Sequence, residues 1–199
     1  MLNEIRVGYF LDYLGYPVSD WNEPQDAPGH NVEYAISLGG HDKAFVEVKS
    51  PGWESELTPE EIEQGRTKQP KYRGIEGRAA GPLQIIQRTV AKAMPKFTGN
   101  VPSIVFISDD CFMNLIEWGW GPLQMATTRR SIAYGDGLFH QPSYSVIGAV
   151  CLFRAVSYLG KNEVDYESLC LANPNAKSAA SIPPQVVSRL LKTRFSACA

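Results

Sequence analysis

Two short runs of alternating residues, separated by a glycine-rich turn, constrain this chain more than any other feature. Residues 32–38 and 45–49 each alternate apolar and polar side chains, which is the pattern of a β-strand with two different faces. The segment Gly39-Gly40-His41 between them is typical of a hairpin turn. We therefore expect two adjacent antiparallel strands.

The alternation puts Glu47 and Lys49 on one face of the second strand and Glu33 on the matching face of the first. If Leu38 pairs with Asp42, Glu33 falls opposite Glu47, whereas a longer loop would put Glu33 opposite Lys49. Both registers keep these polar residues together, because a one-residue slip would bury them. Two opposed carboxylates repel unless positive charge lies between them, and a divalent cation or Lys49 could supply it.

This combination of side chains suits phosphodiester hydrolysis. Carboxylate oxygens are hard ligands that fit Mg²⁺, which keeps several waters and shares its other positions with phosphate. One of those waters can become the nucleophile. A nearby lysine can orient that water or neutralise the charge that develops on the phosphate.

The triplet Glu47-Val48-Lys49 resembles the (D/E)xK element of the PD-(D/E)xK, or restriction-endonuclease-like, nuclease superfamily. Glu33 matches the upstream acidic position, where this family usually has Asp, and Asp26 is a reserve candidate for that position. The family often carries a Glu on the helix before these strands, and Glu4 matches it. The resemblance implies an α/β fold whose central mixed β-sheet is flanked by helices.

The resemblance also implies a function. It suggests an endonuclease or exonuclease that uses Mg²⁺ or Mn²⁺, with DNA as the main expected substrate and RNA as the second. Glu33 and Glu47 would be the metal ligands, with Lys49 near the attacking water. The alternative is a catalytically inactive protein of the same fold, acting as a nucleic-acid-binding or protein-interaction module. In that case Lys49 would form an ion pair with the two glutamates.

A helix is predicted over residues 82–97, because Pro82 suits a first helical turn and apolar residues recur at helical spacing. In similar nucleases, a Gln or Lys on the helix after the catalytic strand completes the site. Gln84, Gln87 and Lys92 are the candidates here, and Gln87 is the one assigned a catalytic role. A solvated helix face is the alternative explanation for each.

The charges of the chain are nearly balanced but unevenly distributed. The formal net charge is −2 and the pI is about 5.9, which is unlike a dedicated nucleic-acid packaging protein. Residues 66–96 are nevertheless basic, with Glu76 as their one acid. Binding of a phosphate backbone beside a carboxylate site needs such a segment. Within it, we predict that nucleic acid contacts Arg88, Lys92 and Lys96.

The later part of the chain predicts more of the same sheet. Apolar runs at residues 103–108, 146–153 and 166–171 are typical of strands, and a terminal helix is expected over 184–193. A helix followed by the apolar strand 103–108 indicates a crossover into a mixed sheet. The turn that begins at Asn173 is similar to one in bacterial proteins that resemble this nuclease group.

Length and composition favour a single domain over residues 1–199, because 44% hydrophobic content can bury a substantial core. The first residues predict an amphipathic helix instead of an apolar signal core, which favours a cytoplasmic protein without a membrane partner. A homodimer is compatible with these features. The scattered cysteines indicate neither a zinc site nor a disulfide framework. The predicted helical face contains Leu2, Ile5, Tyr9 and Tyr13.

Overall fold

The structure is a computed structural model that describes residues 2–21, 27–39, 42–51, 82–108, 120–130, 135–157 and 163–198. These residues contain one mixed β-sheet of seven strands. The strands are β1 (Val18–Trp21), β2 (Tyr34–Gly39), β3 (Asp42–Lys49), β4 (Ser103–Ser108), β5 (Ala149–Ser157), β6 (Glu163–Ala172) and β7 (Lys192–Cys198). The α-helices are α1 (Leu2–Tyr13), α2 (Pro82–Ala93), α3 (Trp120–Thr127) and α4 (Pro184–Leu190).

The order of the strands in the sheet follows their order in the chain. Strands β1, β2 and β3 are antiparallel neighbours, and so are β5, β6 and β7. The centre is parallel, because β4 pairs with β3 on one side and with β5 on the other. The prediction of an α/β protein with a mixed sheet is therefore confirmed.

Helices cover both faces of the sheet. On one face, α1 and α4 pack against a cluster that includes Tyr34 and Val46. On the other, α2 and α3 pack against a cluster that includes Phe45 and Val105. Strand β4 is buried along its whole length, which is why residues 103–108 read as one apolar run instead of alternating.

Helix α1 forms where it was predicted but buries a different face. Its core residues are Val7, Phe10 and Leu11, and Phe10 makes an edge contact with Phe153 at a centroid distance of 5.2 Å. The residues at the predicted spacing are instead exposed: Leu2, Ile5, Tyr9 and Tyr13. The predicted apolar face of α1 is therefore not the face that packs in the core.

The hairpin of β2 and β3 has the first of the two predicted registers. Tyr34 lies opposite Val46, and the pairing continues to Ser37 opposite Lys43. An irregularity follows at the turn, where Gly39 pairs with Asp42 and adopts a left-handed φ of 108°. The predicted start of this strand at residue 32 is wrong, because β2 begins at Tyr34 and Glu33 lies at a bend just before it. Val32 packs in the cluster of Phe45 and not in that of Tyr34, so the alternation does not extend to these residues.

The remaining sequence expectations concern the cysteines, membrane-spanning helices and Asp26. Cys151 and Cys170 are unpaired, buried and opposite one another on β5 and β6, as expected of core cysteines. Among the described residues, no helix combines the length and the apolar character needed to cross a membrane. Asp26 lies outside the described residues.

Candidate functional site

The candidate site lies where the parallel strands β3, β4 and β5 end. Alternation along β3 puts Glu47 on the same face as Phe45, towards α2. The first turn of α1 reaches this end of the sheet too, because Asn3 Nδ2 donates a hydrogen bond of 2.7 Å to Ser50 Oγ. The carboxyl ends of parallel strands are where open α/β sheets usually bind ligands.

Glu47 is the central side chain of the site and is fully buried, with 0% of its surface exposed. Its Oε1 atom contacts the ammonium of Lys49 and lies 2.9 Å from Lys96 Nζ. Its other oxygen, Oε2, is buried and has no hydrogen-bond partner among the described residues. A buried polar atom without a partner costs about 1–3 kcal/mol, and more when it belongs to a charged group. Glu47 therefore has capacity for a further positive ligand.

Glu33 is the second carboxylate of the site. Its Oε1 lies 3.6 Å from Lys96 Nζ, so one ammonium group touches both acids. Partial burial and then the negative charge of Glu47 raise the pKa of Glu33 above its usual value, although the charges of Lys96 and Lys49 act to lower it. The net rise means that the two lysines only partly offset the cost of ionising Glu33 here.

Lys96 enters the site from a 3₁₀ turn, Met94–Lys96, that directly follows α2. Pro95 lacks the backbone N–H that a continuing α-helix needs, and the buried Phe97 then leads the chain towards β4. Burial by itself lowers the pKa of Lys96, but its hydrogen bond and charge interaction with Glu47, together with the charge of Glu33, raise it overall. Lys96 is thus held as a cation between the acids.

A small cleft of about 60 Å³ opens beside Lys49, between the end of β3 and α2. Three of its lining side chains are cationic, and Thr89 and Ser50 add hydroxyl groups. This is the kind of surface that attracts a phosphate group. The lining residues are Lys49, Ser50 and Pro51 on the strand side and Ile85, Arg88, Thr89 and Lys92 on the helix side.

The structure brings most of the predicted site residues together. Arg88 and Lys92 line the cleft, whereas Lys96 points into the carboxylate pair instead. Gln87 lies two residues from the cleft residues Ile85 and Thr89, which puts it about 160–200° away around α2. Gln87 is accordingly outside the cleft.

Two further candidates were Glu4 and Gln84. The negative charge of Glu4 contributes to the raised pKa of Glu33, so Glu4 acts on the site from α1. Gln84 is exposed in the first turn of α2 and does not line the cleft. The direct contact of Lys96 with both acids was not predicted from the sequence. Its one signal there was its place four residues after Lys92 in the basic stripe.

The donor set can be tested against the divalent ion that the resemblance implies. Mg²⁺ is usually held by one or two carboxylates together with waters and substrate phosphates. Glu33 and Glu47 supply two carboxylates, and Glu47 Oε2 is a buried oxygen that lacks a partner in the described part of the chain. In that same part, no group of three or more His, Cys, Asp or Glu residues is arranged to hold a metal ion. The two glutamates therefore fit an ion such as Mg²⁺ that takes its remaining ligands from water and substrate phosphates.

Comparison of the chain with models of protein families, with curated proteins and with solved structures finds no match.

Proposed function

We propose that this protein is a metal-dependent nuclease that hydrolyses phosphodiester bonds of DNA at a site formed by Glu33, Glu47 and Lys49. The observation that carries the proposal is the fully buried Glu47, whose Oε2 lacks a hydrogen-bond partner in the described chain while Oε1 contacts Lys49. A buried acid with an unused oxygen next to a partly exposed lysine is an unfavourable arrangement for stability alone. It is a useful one for binding a cation and a phosphate.

The order of the elements supports a restriction-endonuclease-like fold. Helix α1 precedes the hairpin of β2 and β3, and α2 then crosses to the parallel strand β4. The acid-x-Lys triplet lies at the end of β3, and Glu33 and Glu47 both contact Lys96. The resemblance implies the following order along the chain: a helix, an acidic strand, a turn, the strand with the triplet and a further helix.

The residues of the site can be assigned roles. Glu33 and Glu47 would hold Mg²⁺ or Mn²⁺, which when bound supplies an activated water and a Lewis acid for the phosphate. Lys49, whose side chain is 27% exposed, would orient the attacking water and stabilise negative charge on the phosphate oxygens. Arg88 and Lys92 would hold the neighbouring phosphate in the cleft, which fixes the position of the scissile bond.

A non-catalytic module of the same fold is the second candidate function, and one observation favours it. Lys49 and Lys96 together already supply two positive charges to the two carboxylates. A charge-balanced cluster of this kind could serve as a polar binding patch without any metal. The two functions differ in whether the wild-type protein binds Mg²⁺ or Mn²⁺.

The experiment that tests the proposal is cleavage of supercoiled plasmid, single-stranded DNA and RNA in Mg²⁺, in Mn²⁺ and in EDTA. We expect cleavage that EDTA abolishes and that Lys49→Ala lowers by about 10²–10³-fold. Lys43→Ala is the matched control, because Lys43 is an exposed residue on the same face of β3 at its far end. A folded wild-type protein that neither binds metal nor cleaves these substrates would favour the non-catalytic module.

A further inference from the structure

Lys96 lies between the two acids of the candidate site. Its Nζ lies 2.9 Å from Glu47 Oε1 and 3.6 Å from Glu33 Oε1. The backbone at Lys96 is held in place, because Phe97 is 4% exposed and its N–H donates to Met94 O at 3.1 Å. The side chain is 33% exposed, so part of it already lies in contact with solvent.

The charges of the site balance without a metal. Two acids, Glu33 and Glu47, are in contact with two bases, Lys49 and Lys96, so their formal charges cancel. A divalent cation that bound in addition would leave an excess of two positive charges in a partly buried place. Such an excess is unfavourable unless a cation leaves the acids or an anion arrives.

We propose that Lys96 is a built-in counter-ion that keeps the resting site closed to divalent cations and moves out when metal and phosphodiester bind together. This inference rests on the proposed nuclease function. Lys92, four residues before Lys96, lines the cleft, and the displaced ammonium would meet a phosphate of the incoming backbone beside it. Metal binding and nucleic-acid binding therefore strengthen one another, and the free protein binds metal weakly.

The test measures Mn²⁺ affinity by isothermal titration calorimetry, with and without thymidine 3′,5′-bisphosphate. This probe carries phosphate groups but has no phosphodiester bond to cleave. In the wild type we expect the bisphosphate to tighten Mn²⁺ binding by at least about fivefold, the lower end of usual coupling between two ligands. In Lys96→Gln, Mn²⁺ alone should bind at least about fivefold more tightly than in the wild type, and the coupling should shrink.

Two further variants sharpen this test. Lys96→Arg keeps the positive charge and should keep the weak Mn²⁺ affinity of the wild type. Lys43→Ala removes a lysine from the same face of β3 away from the acids and should change nothing. Circular dichroism checks that each variant is folded, and the wild-type coupling measurement tests the inference even if Lys96→Gln does not fold.

The outcomes separate this inference from the nuclease proposal. Wild-type protein that binds Mn²⁺ tightly on its own, with no effect of the bisphosphate or of Lys96→Gln, would overturn the counter-ion role but leave the nuclease intact. Absence of Mn²⁺ binding in the wild type and in Lys96→Gln, with and without the bisphosphate, would overturn both.

Discussion

Two groups of oppositely charged side chains lie on this sheet, and they differ in burial and in hydrogen bonding. Arg154 on β5 lies directly opposite Glu167 on β6, and its Nε donates to Glu167 Oε2 at 3.1 Å while Nη2 contacts the same oxygen. Their side chains are 20% and 16% exposed. An ion pair between neighbouring strands is an ordinary way to stabilise a sheet.

At the candidate site the charged side chains lie closer together, and their hydrogen-bonding capacity is less fully satisfied. Glu47 is completely buried, two lysines share its Oε1, and its Oε2 has no hydrogen-bond partner in the described chain. Glu33 adds a second acid whose pKa is raised by burial and by Glu47. In the first group the acid is bound by its base, whereas at the candidate site Oε2 of the buried Glu47 has no hydrogen-bond partner in the described chain and is available to a ligand.

The largest expected effect is on cleavage, and it distinguishes Glu47 at the candidate site from Glu167 in the ion pair on β6. Glu47→Gln should lower metal-dependent cleavage by at least about 100-fold, because even the residues that support metal ligands are worth about 10- to 100-fold. Glu167→Gln, the same chemical change on β6, should leave cleavage within about twofold of the wild type. Plasmid nicking in Mg²⁺ measures both. Equal losses in the two variants would mean that Glu47 acts only through stability.

The next effect concerns the basic cleft. Arg88→Ala combined with Lys92→Ala should weaken binding of DNA without changing its sequence preference. Each lost phosphate contact lowers the slope of log affinity against log salt by about one, so the double variant should lose about two. Fluorescence anisotropy at several salt concentrations measures the slope. Arg154→Ala is the control, and a slope change as large in that variant would argue against the cleft.

A smaller effect should appear in the free energy of unfolding. Here the pair of Arg154 and Glu167, which should not affect cleavage, is expected to matter. Glu167→Gln should lower the free energy of unfolding by about 1 kcal/mol, because it breaks a charge-assisted but partly exposed pair. Urea denaturation of the folded protein measures the change. No change in the free energy of unfolding would mean that the Arg154 pair is merely a surface contact.

The parts of the fold that were predicted are those specified by local patterns. Alternation and a glycine turn predict the hairpin and leave two registers, of which the structure has the first. Strand β4 was predicted at its observed bounds of Ser103–Ser108 because its buried interior is an apolar run. Glu47 and Lys49 share a face of β3 for the same reason, whereas Glu33 lies at a bend before β2. These features need no knowledge of distant residues.

The parts that were not predicted depend on tertiary contacts. The edge strand β1 is mostly exposed and depends on pairing with β2. Strand β7 begins at Lys192, inside the span predicted as the terminal helix, and it is specified by its pairing with β6. The contact of Lys96 with both acids requires the 3₁₀ turn after α2 and the packing of α2 on the sheet. A stripe of basic residues indicates a charged face, but only the fold shows which member meets the carboxylates.

The smallest expected effect lies in the pH dependence of stability at Glu33. Because its pKa is raised in the folded protein, the folded state holds a proton more tightly than the unfolded chain does just above pH 4.5, its usual pKa. The free energy of unfolding must then fall as the pH rises through this window, and it stays lower above the folded-state pKa. The attraction of Lys96 and Lys49 is already contained in the net shift.

Glu33→Gln removes this titration and keeps the shape of the side chain. We expect the stability of Glu33→Gln relative to the wild type to increase as the pH rises from about 4 to about 7, by less than about 1 kcal/mol because Glu33 is partly exposed. Urea denaturation across this range measures the difference, with Glu163→Gln at the exposed start of β6 as the control. A variant that instead loses stability as the pH rises would mean that Lys96 and Glu33 form a matched pair like that of Arg154 and Glu167. The contrast between the two regions would then rest on Glu47 alone.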